Sequence, residues 1–150
     1  MVRHQCPKCS SVQAKLWLVD SRSQDRKLLL EVGSTAAASW SPDGKSFYVE
    51  DHQNNNSTLT YLYDTESMKK LDIEELIFAI DPEAKRFLDG HTFIDVDRWQ
   101  DDGDLLIRYS GHTEGPPSTC FLMHYLVSRL GTVKKLSEHI GSPDESWCHY

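Results

Sequence analysis

Apolar residues along the chain fall in short runs of strand length, separated by polar turn signals. Lys15-Leu16-Trp17-Leu18-Val19-Asp20 is apolar and partly β-branched, and Lys27-Leu28-Leu29-Leu30-Glu31-Val32 follows after a polar stretch. Strand, polar turn and strand predict a β-hairpin. The same phrase returns twice. Thr58-Leu59-Thr60-Tyr61-Leu62-Tyr63-Asp64 alternates, turns through Thr65-Glu66-Ser67 and returns over residues 68–73; residues 120–127 turn through 128–131 and return over 132–136. Asp20 and Asp64 end the first strand of the first two copies, where an Asp carboxylate accepts from backbone two residues on and opens the turn.

A second phrase lies between these hairpins, and it also recurs. Trp40-Ser41-Pro42-Asp43-Gly44 precedes Phe47-Tyr48-Val49, and Trp99-Gln100-Asp101-Asp102-Gly103 precedes Leu105-Leu106-Ile107. Trp, Asp and Gly keep identical offsets. Asp-Gly between extended runs predicts a tight hairpin, because Gly accepts the positive φ such turns need. Trp40 and Trp99 are expected as core anchors of their sheets. Hairpins of both kinds therefore alternate with a period of roughly 60 residues, which points to propellers or arrays.

Helical signals are confined to the middle of the chain. Residues 72–80 suit one or two turns, and Asp81-Pro82 reads as an N-cap followed by proline at the first helical position, with Gly90 as the stop. The expected fold is mainly β: antiparallel blade-like hairpins, in a partial propeller or as stacked sheets, with one or two short helices. The expected organisation is an irregular segment 1–13, one β-rich domain over 14–140 and a tail over 141–150. Within the domain, repeat one covers about 14–73, a helical insert 74–90 and repeat two about 91–136.

Trp40-Ser41-Pro42-Asp43-Gly44 with Phe47-Tyr48-Val49 and Leu62-Tyr63-Asp64 resembles a repeat of TolB-type, WD40-like β-propellers. Similar repeats build the propeller domains of prolyl-oligopeptidase-like enzymes. The resemblance covers residues 14–73 well and 92–136 weakly, where Gln100-Asp101 replaces Ser-Pro. It implies blade architecture and no particular chemistry. A closed propeller typically needs about four blades or more, and two are visible here, so a fragment of a larger propeller is an alternative reading.

Composition adds limits. Of the 150 residues, 39% are hydrophobic and 26% charged, the proportions of a folded globular domain. No stretch approaches the roughly 20 apolar residues of a membrane helix, and residues 1–9 lack the apolar core of a signal peptide. The expected location is the cytoplasm. A net charge of −7 disfavours a nucleic-acid backbone and suits a basic protein partner; no membrane partner is expected.

The residues with reactive or ligating chemistry form no complete constellation. There is no G-x-S-x-G elbow, no phosphate-cradling loop and no H-E-x-x-H. The Asp-rich run around Gly103 fails as a calcium loop, since Arg98 and Tyr109 would occupy the first and last ligand positions. Cys6 and Cys9 form a C-x-x-C with the spacing of half a zinc site, so zinc through these two is the cofactor alternative. Two polar loops occupy equivalent places in the repeats: one carries His52, Asn54 and Asn55, the other His112 and Glu114. His112 and Glu114 are placed to form an acid–base pair. With Asp101 and Asp102 these seven residues are the candidate partner-binding set. His124, inside an apolar strand, is expected to be structural. The expected function is a non-enzymatic protein-binding module, in its sharper form an inhibitor or immunity protein that neutralises a toxin. The alternative is a small zinc protein or enzyme using Cys6 and Cys9.

Overall fold

Both Asp-Gly turns form where the sequence predicts them. The computed structural model describes residues 14–148. In its first turn Ser41 Oγ donates to Asp43 Oδ1 (2.7 Å) and accepts from the Ser46 N–H (3.0 Å). Gly44 and Gly103 take φ values of 69° and 87°, which a side chain would oppose. These turns join β3 (Thr35–Trp40) to β4 (Ser46–Asn54), and β7 (His91–Trp99) to β8 (Leu105–His112). The predicted Asp turns also form. Asp20 Oδ1 accepts from the N–H groups of Arg22 and Ser23, and Asp64 Oδ1 from that of Ser67.

The protein is mainly β, built from antiparallel hairpins with two short helical pieces in mid-chain. β1 (Ala14–Val19) and β2 (Arg26–Val32) pair as a separate two-stranded sheet. The remaining strands share one sheet in the order β10-β9-β8-β7-β5-β4-β3, with β6 (Lys70–Asp72) also on β5 (Ser57–Asp64). β9 is Cys120–Val127 and β10 is Val133–Gly141. Strands β3–β6 and β7–β10 are thus two antiparallel meanders of four strands. A short parallel contact joins them, Ser57 beside Thr92 and Thr58 beside Phe93. β10 and β3 lie at the two ends of the strand order, so this sheet does not close on itself.

Beyond Phe93, β7 leaves β5, and β6 occupies the rest of that β5 edge at Tyr61–Tyr63. Side chains then serve the backbone groups of β7 that β5 no longer reaches. Thr60 Oγ1 donates to the Ile94 carbonyl, and Glu50 Oε1 accepts from the Val96 N–H at 2.6 Å. A backbone donor buried without a partner costs about 1–3 kcal/mol, so these bonds let the two meanders splay apart.

The main core lies between the helical segment and one face of the second meander. Asp72 caps helix α1 (Ile73–Ile80) by accepting from the Glu75 N–H. The helix turns Ile73, Ile77 and Phe78 inward, and the following 3-10 turn, Pro82–Phe87, adds Ala84 and Phe87. They meet Leu105, Ile107 and Tyr109 of β8 and Phe121, Met123, Tyr125 and Val127 of β9. All are odd-numbered positions, as the period of two along a strand requires. A smaller core of Phe47, Val49, Tyr61 and Tyr63 lies beneath Leu16, Leu29 and Leu30 of the β1–β2 hairpin. β5 serves both cores, with Leu62 in one and Tyr61 and Tyr63 in the other.

Two local expectations are corrected. Trp40 is 54% exposed and lies tilted on Phe47, with ring centroids 4.9 Å apart; it anchors no core, because β3 is an edge strand. Trp99 does pack against the main core, beside Tyr48. Asp81 stands at the N-cap with Pro82 in the first turn as expected, but the segment is 3-10 and the Asp81 side chain makes no cap bond to it. Its carboxylate is taken by Tyr125 and Lys135, which only the sheet brings near. Among the described residues no helix is long and apolar enough to cross a membrane.

Candidate functional site

The two predicted loops lie at one end of the sheet, each beside the start of β7. His91 opens β7 directly opposite His112, the last residue of β8, and their rings lie 4.5 Å apart. The same stretch of β7 touches the β4–β5 turn, where the Thr92 N–H donates to the Asn56 carbonyl. His52, Asn54, Asn55, His112 and Glu114 therefore share one end of the sheet. The pairing within this end differs from the sequence reading. Glu114 Oε1 bonds His91 Nε2 at 3.1 Å rather than His112, whose ring lies on that of His91. His91 begins a strand whose partner is invisible in the sequence, so only the register reveals it. His52 Nδ1 lies 3.1 Å from Thr58 Oγ1, a cross-strand contact within the β4–β5 hairpin. Glu114 is largely exposed, and such pairs are worth little in water.

Asp101 and Asp102 lie at the other end, in the β7–β8 turn. The length of β8 separates them from His112 by roughly 25 Å at the usual rise per strand residue. The seven candidate residues thus form two groups and no single site. The two Asp-Gly turns converge at this second end with Arg129, around a 270 Å³ cleft lined by Asp43, Lys45, Ser46, Asp102, Gly103 and Arg129. The carboxylates here are occupied by their own turns. The Lys45 N–H holds the Asp43 carboxyl below its usual range, and the Ser67 N–H does the same for Asp64; Arg129 adds to both. Burial, and then neighbouring Asp102, push Asp104 up.

Between the ends, the outer face of the second meander carries a feature the sequence reading missed. Leu106 of β8 and Leu126 of β9 are cross-strand partners. With Leu136 of β10 they floor an open groove of 440 Å³, whose wall includes Arg98, Gln100, Asp101 and Asp102. These leucines point away from the helix-covered core. The signal was present in Leu105-Leu106-Ile107, where an apolar residue interrupts the alternation and must face outward. Leu136 reaches the groove through a register shift between Lys135 and Ser137.

A polar row borders the groove. Arg108 bonds Asp95 at 3.2 Å and lies 3.6 Å from Asp97, while His124 meets Asp97 at 3.5 Å and Ser137 Oγ at 2.9 Å. His124 is held among these partners, as its place in the strand suggested. Glu50 sits near this row and is pushed up by burial, its bond from Val96 opposing and Asp95 adding to the rise.

Cys6 and Cys9 lie outside the described residues. Among those described, no group of three His, Cys, Asp or Glu side chains could hold a metal ion. Cys120 and Cys148, at a sequence separation of 28, form a disulfide with Cα atoms 5.9 Å apart. No family model matches the chain, and no curated protein matches it either.

Proposed function

We propose that this chain is a protein-binding module, and that a basic protein docks on the outer face of β8–β10. The carrying observation is the groove: an apolar floor of Leu106, Leu126 and Leu136 open to solvent, with Asp101 and Asp102 on its wall. Leu136 is 48% exposed, so the floor is accessible to another molecule. An apolar centre with a charged rim is the usual anatomy of a protein–protein interface. The overall charge of −7 favours encounter with a cationic partner. Asp101 and Asp102 would meet its cationic side chains while apolar ones cover the leucines. In the sharper form of this reading, the module acts in the cytoplasm as an inhibitor or immunity protein that silences a basic toxin. The reading assigns the chain no catalytic role.

The test is capture of binding proteins by the tagged chain at low and high salt, alongside two variant pairs. One pair is Leu126→Asp with Leu136→Arg in the groove; the other is His112→Ala with Glu114→Ala at the loop end. A stoichiometric basic protein lost with the groove pair and retained by the loop pair supports this reading. Retention by the groove pair with loss by the loop pair moves the interface to the loops. Inhibition of the captured protein's own activity decides the sharper form.

A further inference from the structure

The segment after β10, residues 142–148, is held beside β9 by a disulfide. Among the described residues its hydrogen bonds stay within itself: the Glu145 N–H donates to the Ser142 carbonyl, the Cys148 N–H to the Glu145 carbonyl, the Ser142 N–H to Glu145 Oε1, and Trp147 Nε1 to Glu145 Oε2. Its ties to the sheet, among the described residues, are the Cys120–Cys148 bond, the Trp147 ring 6.2 Å from that of His139, and close packing over Gly141. Cys120 and Cys148 both line an open 260 Å³ pocket with His112, Ser118 and Pro143. The bond therefore borders an open pocket although both residues are buried.

We infer that Cys120–Cys148 is a thiol–disulfide exchange site that latches residues 142–148 against the sheet, with a dithiol reductant as its reactant. A thiolate of the reductant attacks one sulfur, the Cys120–Cys148 bond breaks, and a mixed disulfide forms. The reductant's second thiol then displaces the remaining protein thiolate. Two electrons pass from the dithiol, which becomes a disulfide, and two protons end on Cys120 and Cys148. Opening the bond removes the one covalent tie, so the tail leaves β9 and the wall formed by Pro143 and Cys148 opens beside His112. In the cytoplasmic setting of the proposed function, on which this point rests, disulfides are characteristically transient and redox-sensing. The latch is independent of whether a partner uses the groove, which lies at the other end of β8.

Hydrogen exchange read by mass spectrometry tests this on the full chain in three states: oxidised, treated with dithiothreitol and alkylated, and as Cys148→Ser. The latch predicts exchange over 142–148 at least about tenfold faster in the last two states, while β8 and β9 stay within about twofold of the oxidised protein. Equal tail exchange in all three states overturns the latch, because something other than the bond then holds the tail. Failure of dithiothreitol to open the bond in the folded protein overturns the exchange site. Parallel acceleration in β8 and β9, or unfolding of both unlatched forms, overturns it too, since the bond would then staple the whole domain. Where Cys148→Ser alone fails to fold, the alkylated wild type decides.

Discussion

Tyr125 Oη donates to Asp81 Oδ2 at 2.8 Å across 44 residues of sequence, fixing the link between helix α1 and the 3-10 turn to β9. Lys135 Nζ reaches the same carboxylate oxygen at 2.6 Å, so Asp81 joins the helical segment to two strands. The contact decides how the helical layer is placed over the sheet.

Tyr125→Phe removes one bond to an ionised acceptor and keeps the packing. It is expected to lower unfolding free energy by about 1–2 kcal/mol. Asp81→Ala loses both bonds and leaves the Tyr125 hydroxyl buried without its main acceptor, so the loss should be larger, about 2–3 kcal/mol. Urea titration of both variants checks the order. Equal stability of Asp81→Ala and wild type would remove the contact from the account.

The same carboxylate sets a dependence on pH. Burial pushes Asp81 up, but the bonds from Lys135 and Tyr125 outweigh it and hold the group below the usual carboxylate range. A depressed folded value stabilises the fold above the unfolded value and loses that contribution as pH falls through the folded one. Burial opposes the charge on Lys135, yet Asp81 and Glu138 raise it above 10.5, so its contribution is complete below that value and fades as pH rises through the folded one. The stability gap between wild type and Asp81→Asn should therefore be widest near neutrality and narrow below about pH 4. Melting temperatures across pH test this, and a gap that stays constant into acid would contradict it.

Glu50 works with the opposite sign. Its folded value is raised, chiefly by burial, so charged Glu50 costs stability as pH rises through the window above 4.5. Its oxygen nonetheless satisfies the Val96 N–H. Glu50→Gln keeps an acceptor without the charge and should match or exceed wild-type stability at pH 7. Glu50→Ala leaves the Val96 N–H unmet and should cost about 1–3 kcal/mol. If both variants lose stability equally, the carboxylate charge itself is needed.

Gly111 lets β7 and β8 approach. A Cβ added there would lie 1.8 Å from the His91 carbonyl oxygen, which is backbone and cannot turn aside. Gly111→Ala should cost about 3 kcal/mol or more by forcing the strands apart beside the His91–His112 pair. A thermal melt with a loss under about 1 kcal/mol would show that the strands adjust freely.

Leu136→Arg changes an exposed position on the groove floor, so its effect on stability should stay within about 0.5 kcal/mol. Loss of partner capture at unchanged stability would separate binding from folding. A large drop in stability would instead make Leu136 part of the fold.

The sequence by itself determined the hairpins, their order and both Asp-Gly turns. Each depends on residues a few positions apart: a carboxylate accepting from backbone two or three residues on, a glycine at positive φ, alternation along one strand. The inward face of β8 and β9 was not legible in this way, because 105–107 and 120–127 are nearly continuous apolar runs and only the helix packed on one side selects 105, 107 and 109 with 121, 123, 125 and 127. Only the tertiary structure decided which strands became neighbours. Register set His91 beside His112 and so gave Glu114 a different partner, and edge position left Trp40 in solvent although its motif matches that of Trp99. The meeting of Asp81 with Tyr125, of Cys120 with Cys148, and of Leu106, Leu126 and Leu136 in one groove each required strands far apart in the chain to align. Local propensity carries no term for such encounters; strand register, and burial of one face of the second meander beneath the helix and of part of the first beneath the β1–β2 hairpin, supply it.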